Sequence, residues 1–143
     1  MNKSVSGPVG RELKLSRLLF VVSALWNFAG AFPGLTDTVG MFEREFGRVL
    51  IDPVMIAIYR GAWGTALIYG FGFLIVAYNP YRHTGIVLMG GIGKLLFALN
   101  LLGMYLSGWT SGFTVIVIIG DLFFILLFAY YFLRLNKHGY KIL

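Results

Sequence analysis

The sequence has no cysteine and only two histidines among 143 residues. The first absence excludes disulfides, thiol redox chemistry, cysteine-held iron-sulfur clusters and covalent c-type haem attachment. The second leaves His83 in a polar loop and His138 in the C-terminal segment. Neither is expected to ligate a metal or a haem at membrane depth, so no metal site and no cofactor is expected. Charge is scarce as well: 13% of the residues are Asp, Glu, Lys or Arg, about half of the usual ~25%. A net charge of +6 on so apolar a chain points to no nucleic-acid partner. Phosphate-cradling and dinucleotide glycine signatures are absent from any position where they would carry meaning. A soluble enzyme, a disordered tail and a nucleic-acid-binding domain are all excluded by this balance.

What is present is apolar: 58% of the residues are hydrophobic, with 19 glycines besides. They fall in four blocks, 15–32, 54–78, 85–106 and 113–133, each near the ~20 residues needed to cross a 30 Å hydrocarbon core. The expected fold is all-α: a polytopic integral membrane protein, one domain over 1–143, built as a bundle of four transmembrane helices. Its lipid bilayer is the first partner. Lys14 and Arg17 flank the first block and can snorkel to the interface. The second block begins at Asp52-Pro53, an N-cap carboxylate followed by proline at the first helical position, and ends at Asn79-Pro80.

Lys3, Arg11, Lys14, Arg17, Arg82, Arg134, Lys137 and Lys141 fall on one side of such a layout, eight of the twelve basic residues. Only Arg44 and Arg48 lie in the loops of the other side. Cytoplasmic loops retain Lys and Arg, so the cell-membrane topology expected is both termini in the cytoplasm, tails 1–14 and 134–143, and an outer loop at 33–53. A competing reading takes the basic start, the apolar run from Leu18 and Ala29-Gly30-Ala31 as a signal peptide with its cleavage site. Trp26-Asn27 interrupts that run, and the mass of the intact N-terminus discriminates. In the outer loop Val39, Phe42, Phe46, Val49 and Leu50 share one helical face, with Arg44, Glu45 and Arg48 pointing elsewhere. An amphipathic helix on the outer surface is expected there.

Ionisable side chains within spans are expensive and mark function by default. Counting the helical rise from the outer helix ends puts Arg60 at ~9 Å, Asp121 at ~12 Å and Lys94 at ~18 Å. Asn27 and Asn100 come at ~8 and ~9 Å, Trp26 and Trp63 at ~9 and ~14 Å. Every helix contributes to this layer, which is the candidate site: Arg60, Lys94, Asp121, Asn27 and Asn100 as an ion and hydrogen-bond network, Trp26 and Trp63 as its walls. The same residues suit a structural role, in which Arg60 and Lys94 neutralise Asp121 and fix helix register, and the tryptophans fill the core. Small residues recur as Ala57, Gly61, Thr65 and as Ala62, Ala66, Gly70, with Gly90, Gly91 and Gly93 further on. They are expected to let helices approach closely, within the bundle or in a homo-oligomer.

In length, four-span layout and inward termini the chain resembles the DoxX-like group of small bacterial membrane proteins, from about Leu18 to Leu133. Some members of that group resemble accessory subunits of respiratory or redox complexes and many have no assigned activity, so the resemblance allows an accessory role and assigns no residue a role. Four-span glutathione-linked eicosanoid enzymes share the size, but their helix-two signature is missing, since Glu43-Arg44-Glu45 lies in a loop. Three functions remain: a protein binding or transporting a lipidic or anionic small molecule, or serving as accessory subunit, through the outer polar layer; a membrane enzyme on a lipid-like substrate, with Asp121, Glu43 or Glu45 as general acid or base; and a purely structural subunit. The catalytic residues of the second remain unassigned.

Overall fold

The computed structural model describes residues 8–137; Lys3, His138 and Lys141 lie outside them. Five helices follow one another: α1 (Pro8–Thr36), α2 (Thr38–Phe46), α3 (Pro53–Tyr78), α4 (Thr84–Leu106) and α5 (Phe113–Lys137). All but α2 are long and apolar enough to cross a membrane. The chain is thus all-α, with four candidate spans and a short helix between the first and the second. α1 begins at Pro8 and runs through Pro33 to Thr36, a longer helix than the apolar block alone marks. It packs as a span: Phe20, Ala24 and Ala31 are fully buried.

Local chemistry explains the helix ends. Asp37 caps α2 by accepting from the Gly40 amide, and Gly47 closes it in the left-handed region at φ 66°, a conformation that favours glycine. Asp52 accepts from the amides of Val54 and Met55 at 2.8 and 2.9 Å, with Pro53 in the first turn of α3. Beyond Tyr78 the chain turns at Asn79-Pro80, and the Tyr131 hydroxyl donates to the Pro80 carbonyl.

The spans form two antiparallel hairpins, α1 with α3 and α4 with α5, and contact is far denser within a hairpin than between them. Aromatic rings seated on glycines lock the first. The Trp63 ring covers Gly30 and Gly34, and a Cβ at Gly34 would come within 2.2 Å of it. The Phe28 ring covers Gly70 in the same way. Two further seats join the hairpins, Phe73 on Gly90 and Trp26 on Gly120. Glycine here admits rings, whereas Gly61 projects into open space.

Apart from the Trp26 seat, the hairpins meet through an aromatic plug at the end that carries Pro8 and Lys137. Phe20 lies 5.6 Å from Phe128 and 5.0 Å from Tyr131, ring centre to ring centre, and Phe73 lies 5.3 Å from Phe128. Phe20, Phe73, Val76 and Val87 are fully buried in this plug, and the Glu12 carboxylate pairs with Arg134 beyond it. At the opposite end α2 bridges the gap, touching α1, α3 and α5.

The face that α2 turns inward differs from the one its hydrophobic pattern suggests. Thr38, Met41 and Glu45 are buried, with Glu45 only 1% exposed; it does not point away from the bundle. The reason is that the helix stops at Phe46, so Val49 and Leu50 leave the helical wheel. The remaining turn rotates to place Phe42 and Phe46 around Tyr59, at centroid distances of 5.2 and 6.1 Å. Instead of lying free on a surface, the helix is tied down at its C-terminal end. Thr114 Oγ1 donates to the Glu45 carbonyl at 3.0 Å, the Ser111 amide donates to it at 2.7 Å, and the Ser111 hydroxyl donates to the Arg44 carbonyl.

Candidate functional site

Between the splayed halves of the two hairpins, beneath α2, lies a partly open cavity of about 830 Å³. All five helices line it, and its walls are chiefly apolar. Its polar floor is one cluster. Asp121 Oδ1 accepts from Lys94 Nζ at 2.6 Å and from the Trp26 indole N–H at 3.0 Å, so α5, α4 and α1 converge on a single oxygen. Lys94 is 9% exposed and Asp121 4%, and the Lys94 ammonium also sits 5.6 Å from the Phe124 ring centre. A pair this enclosed loses most of its hydration, and close contact with hydrogen bonds on top offsets that loss. The bond explains the differing depths of the two residues, because the long lysine side chain spans the helical offset.

Asn27 holds the wall between α1 and α3: its amide donates to the Ala66 carbonyl at 3.0 Å. Asn100 and Trp63 also line the cavity; Asn100 is exposed there, while Trp63 is buried with its indole nitrogen unpaired. Six of the seven residues singled out by depth therefore border one space. Arg60 does not. The residue is exposed and donates through Nε to Thr38 Oγ1 at 3.0 Å, so it ties α3 to α2 instead of answering Asp121.

A second polar group lies on the cavity wall under α2. The Tyr59 hydroxyl donates to Glu45 Oε2, while Glu45 Oε1 is buried without a partner. Burial pushes the Glu45 carboxyl above its ordinary value, and the Tyr59 hydrogen bond only partly opposes that rise. Glu43 stays exposed. Arg44 lines the rim and is already paired with Asp37 at 2.9 Å. Glu45 and Tyr59 escaped the depth count because one sits outside the spans and the other is a tyrosine near a helix end, where such residues are common. The signal available for Glu45 was its i, i+4 spacing from the inward-facing Met41.

Among the described residues no group of three or more His, Asp or Glu side chains is arranged to hold a metal ion. Comparison with known protein families, with curated proteins and with solved structures finds no match for this chain. Four long apolar helices are consistent with a small four-span membrane protein, and the DoxX-like likeness rests on that layout alone.

Proposed function

We propose that this chain is a membrane protein that binds a small lipidic molecule, holding its polar end at Lys94, Asp121 and Trp26. The observation that carries the reading is the 830 Å³ cavity with a buried ion pair at its floor. That volume falls in the ~300–1,000 Å³ range of small-molecule sites, which combine apolar walls with a few convergent polar groups. The cavity is blind: the plug around Phe20, Phe73, Val76 and Val87 closes it toward the terminal end. A closed floor favours holding a molecule over conducting one. Role as an accessory subunit, as in DoxX-like proteins, is compatible with this and adds a partner on the outer helix faces.

Purification in mild detergent followed by mass spectrometry tests the reading. A stoichiometric small molecule should accompany the native chain and be lost from the Lys94→Met/Asp121→Asn double variant. Its absence from the native chain, or equal retention by both, overturns the proposal. One observation favours a second reading as an enzyme: Glu45 is a buried carboxyl with a raised pKa on the same wall, a setting suited to a general acid. In that case a substrate-like molecule would be recovered unchanged from Glu45→Gln and converted by the native chain.

A further inference from the structure

The cavity has an open side, and its position and charge together restrict what it takes. α3 and α4 approach closely toward the terminal end, where Ile86 meets Gly72 and the Phe73 ring meets Gly90. Nearer α2 they part, and Ala62 and Thr65 on α3 face Gly93, Phe97 and Asn100 on α4 as exposed cavity-lining residues. By helical rise Ala62, Thr65 and Gly93 stand ~14 to 20 Å from their helix ends, a depth of hydrocarbon and not of water. At that depth Ala62, Thr65 and Gly93 border the gap, and no heavy atom lies within 4 Å of a Cβ added at Gly93. It opens sideways into lipid.

The lysine and arginine that line the cavity are already paired. Lys94 and Asp121 form a pair whose net charge is zero whichever of them holds the shared proton. Arg44 at the rim is bound to Asp37, and Arg60 lies outside the lining with its guanidinium against Thr38. An entering anion would meet no unpaired cation, and it would shed its hydration without compensation. What is on offer is hydrogen bonding: Lys94 has three N–H donors and Asp121 engages it through one oxygen, and Asn100 lines the opening as an exposed residue.

We infer that the cavity takes a single-chain amphiphile with an uncharged, hydrogen-bond-accepting head, such as an alcohol, ester or amide, which enters from the bilayer between α3 and α4. This rests on the binding role proposed above and names the chemistry of its ligand. The head reaches the Lys94 ammonium, and the tail lies along Phe97 and the α3 wall toward lipid.

Two of the three tryptophans, Trp26 and Trp63, line the cavity, whereas Trp109 is 57% exposed in the α4–α5 loop. A Trp109→Phe chain in phosphatidylcholine nanodiscs therefore reports on the cavity by fluorescence. It is titrated with a chain-brominated monoacylglycerol and with a chain-brominated alkyl sulfate of equal length, which is charged at every pH. The monoacylglycerol should give a saturable quenching component, and the sulfate should require about ten-fold more, a factor worth one decade of affinity. Gly93→Phe, which fills the side opening, should abolish the saturable component while circular dichroism stays helical. Equal or tighter saturation by the sulfate overturns the uncharged head. Undiminished saturation in Gly93→Phe overturns the side entrance. Absence of saturation by either quencher removes the binding role itself, and the inference with it.

Discussion

Asp121 Oδ1 collects a lysine ammonium from α4 and an indole N–H from α1, so one atom ties three spans together. Removing a single partner of such a pair strands the other charge in a dry interior, at a cost of about 3–5 kcal/mol. Asp121→Asn or Lys94→Met alone should therefore depress thermal stability in detergent strongly, and the double variant should recover much of the loss. Strict additivity in that double-mutant cycle would mean the two side chains do not act as a unit. Glu45 offers a pH test whose sign follows from burial. Its folded carboxyl holds its proton above the ordinary value of 4.5, so the folded state binds more protons than the unfolded chain across that interval. Stability from this group is whole below 4.5 and falls as pH rises through the folded pKa. Melting temperature should decline over that window in the native chain, and the decline should flatten in Glu45→Gln. Depth along a helix can be counted from sequence, which is why Lys94, Asp121, Trp26, Asn27, Asn100 and Trp63 group together by sequence alone. Which face of a helix meets its neighbours cannot be counted: Arg60 shares their depth and lies outside the cavity lining.

Helix ends written in side-chain chemistry were legible, as Asp52-Pro53 and Asn79-Pro80 show. Those set by packing were not. α1 continues through Pro33 although a proline there removes an amide donor and crowds the preceding turn, and α2 stops early because Gly47 adopts a left-handed turn. Glycine spacing announced close packing without revealing what packs. Gly34, Gly70 and Gly120 are floors for Trp63, Phe28 and Trp26, so a leucine at any of them must displace a ring, a strain of about 1–3 kcal/mol or more. Leucine at Gly61, which meets nothing within 4 Å, should change stability by about 0.5 kcal/mol or less. Thermal unfolding of Gly120→Leu beside Gly61→Leu checks the contrast, and a loss of oligomer confined to Gly61→Leu would assign that open face to a second copy. The tether of α2 has its own test. Ser111→Ala with Thr114→Val deletes two hydroxyl donors to the Arg44 and Glu45 carbonyls, each worth about 1 kcal/mol. Amide exchange across Thr38–Phe46 should then accelerate while the four spans stay protected.

Four spans joined in up-down order place Pro8 and Lys137 at the same end of the molecule, as the Glu12 to Arg134 pair requires. Arg11, Lys14, Arg17, Arg82, Arg134 and Lys137 gather there, and by the retention of basic loops that end should face the cytoplasm. A reporter after Leu143 should be cytoplasmic, and a tag at Gly108 should be reached from outside in intact cells; the reverse pattern would invert the molecule without altering its cavity. Two hairpins plugged together at one end and parted at the other have a consequence for biogenesis. Neither hairpin alone encloses the space, since Trp26 and Asn27 come from one and Lys94 and Asp121 from the other. The pocket comes into existence only when the halves dock, and any occupant touching both halves binds the docked form alone. By mass action an occupant at 100 times its dissociation constant would favour docking by ~2.7 kcal/mol. If the proposed binding holds, cellular abundance of the protein would then follow the supply of that occupant, with the undocked chain left to quality-control proteolysis whenever that supply fails.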